Sequence, residues 1–153
     1  MEDCLECLRL GSVLSLNGTK YVLVEFSQGG IPFEEIKICV TRLVNSGWIP
    51  VIAHAERYGK SYRSIDDVRW LKEQGCLIQI NLYSIASDTS PERQEFTRQM
   101  IREKLVDFLG SDTHRMNHRP PKIANGMKAL METDDQKYVR KIAYQNARDL
   151  LKM

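Results

Sequence analysis

The sequence predicts an α/β fold of about four parallel strands with flanking helices, and three observations carry that prediction. Short apolar runs alternate with longer segments of helical period, and turn residues separate the two. The spacers are long enough to be crossovers, which join parallel rather than antiparallel strands. The apolar runs are also nearly continuous, as strands are when both faces of a sheet are covered.

The elements follow in order. Residues 3–10 have a helical pattern. Residues 21–26 (Tyr-Val-Leu-Val-Glu-Phe) are β-branched and aromatic, with Gly29-Gly30 behind them, and read as the first strand. Pro32 then opens a helix with apolar residues at Phe33, Ile36, Val40, Leu43 and Val44, closed by Gly47. Residues 49–53 are the second strand. Ser64 caps a helix bearing Ile65, Val68 and Leu71 and stopped by Gly75. Residues 76–82 form the third strand, and Ser90-Pro91-Glu92 starts a helix reaching about Lys104. Residues 106–110 are the fourth strand. From Pro120 onward the chain reads as two or three helical pieces, with Asn146 capping a last turn before Leu150 and Leu151. No internal repeat, low-complexity segment or linker interrupts this single unit. Four parallel strands make either a small open sheet or part of a larger barrel.

Chemistry gathers where the strands stop. Glu25, His54, Asn81, and then Asp112 with His114 stand at successive strand ends, where α/β folds hold metals and substrates. The chain has three histidines, and two of them occupy such positions. Carboxylates mixed with imidazoles suit manganese, iron or zinc. Taken singly, Glu25 reads as a solvated strand-edge acid, His54 as a satisfied core histidine and Asp112 as a turn cap; their shared placement favours metal. Arg57 and Arg119 follow these residues in the loops after the second and fourth strands, and arginine there suits a phosphate dianion. Each arginine alone reads equally well as a surface charge. His118 reads as a rim residue and Arg115 as a solvated one. The loops expected to carry function are 27–31, 54–63, 83–90 and 111–121.

Composition narrows the field. Lys and Arg total 22 against 20 Asp and Glu, so a net charge of +2 indicates no polyanionic partner such as nucleic acid. No apolar run has the length of a membrane span, and the first residues lack the basic flank and apolar core of a signal peptide, which makes the cytoplasm the expected location. Cys4 and Cys7 form one Cys-x-x-Cys within a helical pattern, with no second pair to complete a zinc site, and read as ordinary thiols. No cysteine has an arginine six positions on, no Asp-x-Asp pair supports an aspartyl-phosphate route, and no glycine-rich phosphate loop carries a lysine. Metal-activated water is the route that remains.

These residues resemble the bacterial manganese-dependent tyrosine phosphatases of the polymerase-and-histidinol-phosphatase (PHP) superfamily, which regulate capsule and exopolysaccharide synthesis. The resemblance lies in residues 16–27, in 50–58 (Pro-Val-Ile-Ala-His-Ala-Glu-Arg-Tyr), in Gln79-Ile80-Asn81, and in Ser111-Asp112-Thr113-His114 running to Arg119-Pro120-Pro121. It implies the C-terminal part of a distorted (β/α)7 TIM-like barrel with a multinuclear manganese site at the strand ends. It further implies Glu25, His54, Asp112 and His114 as metal ligands and Arg57 and Arg119 as phosphate-binding catalytic arginines. The implied reaction is hydrolysis of phosphotyrosine on a cognate bacterial tyrosine kinase. The family opens with a His-x-His strand and supplies a further histidine and glutamate ahead of the segment where this chain starts. An N-terminally shortened domain is therefore expected, with about half the ligands and open barrel edges that favour self-association. A non-enzymatic remnant that binds the kinase or a phosphate, and a PHP-type phosphoesterase acting on a small phosphate monoester, are the competing expectations.

Overall fold

Four short strands lie side by side in the computed structural model, which describes residues 4–27, 30–59, 64–86, 89–114, 123–132 and 135–151. They are β1 (Tyr21–Val24), β2 (Ile49–Ile52), β3 (Leu77–Asn81) and β4 (Phe108–Gly110), all parallel and paired in sequence order. The register sets Val22 opposite Pro50, Ile52 opposite Ile78, and Ile80 opposite Leu109. A short helix, α1 (Cys4–Arg9), precedes β1. Helices α2 (Phe33–Asn45), α3 (Ile65–Glu73) and α4 (Pro91–Arg102) form the successive crossovers. Helix α5 (Ala124–Met131) follows β4, and α6 (Gln136–Arg140) runs through a π-helical stretch, Lys141–Gln145, into α7 (Asn146–Leu151).

Helix α2 turns its 3.6-residue stripe of Phe33, Ile36, Val40 and Leu43 inward, and all four are buried. It stops at Gly47, whose φ of +84° lets the amide of Trp48 reach back to the Leu43 carbonyl. Gly75 ends α3 the same way, sending the Cys76 amide to Leu71. Ser64 and Ser90 each accept a bond from an amide of the first turn they open, and Pro91 pre-sets the first residue of α4. The core is contiguous, running from Ile36 and Ile52 through Val68, Ile78 and Ile80 to Met100, Leu130 and Ile142. This packing makes the sheet a rigid platform for the residues beyond its C-terminal ends.

The strands are shorter than the apolar runs, for identifiable reasons. β1 was expected to reach residue 26, but it ends at Val24 because the Phe26 amide turns to donate to the Tyr58 hydroxyl at 3.0 Å. β3 starts one residue late because the Cys76 amide is spent capping α3. β4 begins at Phe108 rather than 106. The Asp107 carboxylate, not a backbone carbonyl, accepts the Ile78 amide at 2.8 Å. Asn146 is also not a cap: it lies within a helical run, and its side-chain amide donates to the Asp107 carbonyl at 2.8 Å. The expected helix start at Pro120 lies outside the described residues.

Candidate functional site

Just past β2 the chain kinks. The Ala53 amide still bonds to Val24, but His54 adopts φ 36° and ψ 52°, the left-handed region, and a 3-10 turn, Ala55–Tyr58, follows. Asp112, two residues beyond β4, has φ 52°. Among the described residues only four non-glycine positions have positive φ, and two of them are predicted ligands. Histidine and aspartate tolerate this region better than most side chains, and such strain concentrates at functional sites.

The kink points the His54 ring back toward β1. Its Nε2 stands 3.0 Å from Glu25 Oε1, while its backbone amide donates to Gln79 Oε1 at 2.6 Å. The histidine side chain is 8% exposed and the glutamate 61%, so the pair spans from the interior to the surface. Tyr58 packs against the imidazole at 5.7 Å between centroids. Burial pushes the Tyr58 phenol up to about 12 and keeps it protonated, despite the Phe26 amide it accepts. The other ring nitrogen, Nδ1, is buried and has no hydrogen-bond partner among the described residues.

A second pair stands across the sheet. Arg57 spans from the turn after β2 to the loop after β4, where its Nη2 bonds the Asp112 carboxylate. Arg57 and Asp112 are nearly buried, at 7% and 13% exposure. The same guanidinium donates to the Tyr83 hydroxyl from Nε at 2.9 Å and again from Nη2. Burial works against the charge on Arg57, but the Tyr83 hydroxyl and the Asp112 carboxylate outweigh it and raise its pKa. His114 is exposed, with Nδ1 2.9 Å from the Asp112 carbonyl oxygen and 3.7 Å from its carboxylate. Arg119, Arg115 and His118 lie outside the described residues.

Beneath both pairs, Glu56 is buried and accepts from the Ser84 hydroxyl at 2.8 Å and the Asn81 amide at 3.3 Å. Removal from water pushes its pKa up to about 7, against the lowering effect of those hydrogen bonds. Asn81 belongs to this network too: its side-chain Oδ1 accepts from Gln79 Nε2 at 3.0 Å. Gln79, Tyr83 and Glu56 are the site residues that strand-end reasoning passed over. A polar Gln inside an apolar strand, and a tyrosine two residues past β3, were the available signals.

Carboxylate oxygens with imidazole nitrogens match a divalent metal in chemistry, and Glu25 Oε1 beside His54 Nε2 supplies one such oxygen–nitrogen pair. The donors nevertheless stand two by two. Among the described residues no three His, Cys, Asp or Glu side chains gather closely enough to hold a metal. Glu25 with His54, and Asp112 with His114, therefore each fit part of a coordination shell.

A family model described as capsular polysaccharide synthesis, CpsB/CapC, matches residues 1–152. Tyrosine-protein phosphatase CpsB of Streptococcus agalactiae serotype III is 30% identical over 155 residues, covering 98% of this chain and 63% of that protein. Tyrosine-protein phosphatase YwqE of Bacillus subtilis is 32% identical over 111 residues, covering 70% of this chain and 42% of the relative. A solved structure from a study of YwqE and of CpsB from Streptococcus pneumoniae, described as unique metal-dependent tyrosine phosphatases, superposes with a TM-score of 0.84. Identity there is 27%, over 99% of this chain and 61% of the solved one. The chain thus spans less than two thirds of the length of these relatives.

Proposed function

The chain belongs to the CpsB/CapC family of capsular polysaccharide synthesis proteins, and on that premise we propose that it serves metal-dependent hydrolysis of phosphotyrosine. The substrate in this reading is a tyrosine-phosphorylated bacterial kinase that controls capsule or exopolysaccharide synthesis. The observation that carries it is the juxtaposition at the strand ends: a Glu25–His54 pair on one side, and an arginine held against Asp112 on the other.

Glu25 and His54, with Asp112 and His114, would hold the metal, manganese in this proposal. When bound, a divalent ion there supplies Lewis acidity and water activated near neutral pH. Arg57 binds the non-bridging phosphoryl oxygens. Its Nη1 has no hydrogen bond among the described residues, so both N–H donors of that nitrogen remain for the dianion. Partial burial strengthens their pull on the charge that spreads over those oxygens in the transition state. Arg119 is proposed as a second such donor. The departing phenolate is a stable leaving group, so general acid assistance is not required of any residue.

A second reading is favoured by the two-by-two arrangement of the donors: a protein that binds phosphate or the kinase without turnover. One experiment separates the two. Purified protein is offered a phosphotyrosine peptide and histidinol phosphate, each with and without manganese. The phosphatase reading expects manganese-dependent hydrolysis of the peptide, lowered about a hundredfold or more by His54→Ala. Binding of the peptide with no turnover above background supports the second reading and refutes the first. Preference for histidinol phosphate redirects the proposal to a small-molecule phosphoesterase.

A further inference from the structure

We propose that Tyr83 is the residue that positions Arg57 for the phosphoryl group, an inference that rests on the phosphatase reading of this site. A guanidinium is a rigid planar fork, so fixing one edge fixes where the remaining donors point. Tyr83 fixes such an edge. Its hydroxyl oxygen accepts from both Nε and Nη2, the two nitrogens that share one side of the fork. Asp112 then takes Nη2 at the corner. The ring also lies 5.6 Å from the Arg57 guanidinium carbon, adding contact with the plane.

The choice of a hydroxyl at this place has a chemical consequence. A carboxylate spanning Nε and Nη2 would form a bidentate ion pair and cancel much of the charge that a phosphate needs. A hydroxyl fixes the same edge without adding a second full negative charge to the one Asp112 already brings.

Tyr83 is itself firmly placed. It sits in the 3-10 turn Leu82–Ser84, which the Ser84–Glu56 bond ties to the Arg57 turn. Helix α5 presses on the same turn so closely that a Cβ at Gly126 would collide with the Leu82 carbonyl oxygen. Asn81 Nδ2 adds a long bond of 3.4 Å to the Tyr83 hydroxyl. Residues 26 apart in the chain are thus locked into one unit.

The test uses Tyr83→Phe, Arg57→Ala and the double variant of the 153-residue chain, with inorganic phosphate as the probe. Calorimetry reads phosphate affinity, and nitrogen-15 spectra read solvent exchange at the Arg57 Nε–H, a signal that needs no bound ligand or turnover. The expected result is faster Nε–H exchange in Tyr83→Phe and about tenfold weaker phosphate binding, the low end of what losing an orienting partner costs a ligating side chain. Adding Tyr83→Phe to Arg57→Ala should weaken binding no further, because Tyr83 acts through Arg57. Unchanged exchange in Tyr83→Phe overturns the proposal. So does wild-type phosphate affinity in Tyr83→Phe when Arg57→Ala weakens binding. If Arg57→Ala binds phosphate as the wild type does, the phosphate role of Arg57 falls and Tyr83's falls with it, while the exchange measurement still reports whether the hydrogen bond exists.

Discussion

Replacing Glu56 with glutamine should make this protein more stable at neutral pH, although the substitution lies at the centre of the site. The native carboxyl is buried, and its pKa stands at about 7 against an ordinary 4.5. The native state therefore holds this proton more tightly than the unfolded chain does. Between pH 4.5 and 7 the folded form binds more protons than the unfolded form, so the wild type loses stability as pH rises through that window. At roughly 1.4 kcal/mol per pH unit, the loss approaches about 3 kcal/mol above pH 7. Glutamine has the same shape and does not titrate. Its oxygen can accept the Asn81 amide, and its NH2 can donate to the Ser84 hydroxyl, which rotates to accept. The two proteins should match near pH 4.5, and Glu56→Gln should gain on the wild type up to about pH 7.5, then hold its lead. Urea unfolding followed by circular dichroism from pH 4.5 to 8.5, in buffer stripped of metal ions, reads this difference. A gap between the two curves that stays flat across the range, or a wild type that gains on the variant as pH rises, would refute the reasoning.

Other substitutions probe the scaffold that holds the site. Tyr138→Phe removes a hydroxyl that both accepts the Val106 amide at 3.1 Å and donates to the Val106 carbonyl at 2.8 Å. Val106 is buried, so its amide and carbonyl lose their partners, and urea unfolding should show a loss of about 1–3 kcal/mol; an unchanged midpoint would contradict this. Gly126→Ala should destabilise by about 2 kcal/mol or more, despite alanine's roughly 1 kcal/mol advantage inside a helix. Its Cβ would sit against the Leu82 backbone rather than a yielding side chain, and phosphate affinity should fall with it because Tyr83 is the next residue. A stabilised Gly126→Ala protein would show that α5 does not press on this turn.

Much of the architecture was legible because it is local. The stripe at Phe33, Ile36, Val40 and Leu43, the caps at Ser64 and Ser90 and the stops at Gly47 and Gly75 each express a preference of a few consecutive residues, and each stands where it was expected. The strand ends were less legible. Phe26 and Cys76 leave the ladder because a distant hydroxyl and a helix carbonyl take their amides, while Asp107 keeps its amide bond to the Ile78 carbonyl but accepts the Ile78 amide with its carboxylate, and apolar character does not report such competition. Asn146 was misjudged for the same reason, since its partner at Asp107 is 39 residues away.

The site divides along a similar line. Chain order alone places Glu25, His54, Asp112 and Arg57 at or after strand ends, and parallel pairing then brings all four to the C-terminal end of the sheet. Which of them touch is a different matter. That His54 faces Glu25, that Arg57 crosses to Asp112, and that Glu56, Gln79 and Tyr83 form the supporting network depend on two left-handed kinks and on side chains meeting across strands. Periodicity is a property of neighbouring residues and can be read along a chain. Hydrogen-bond partnership belongs to groups 25 to 55 residues apart, and exists only once the packed sheet has set the distances between them.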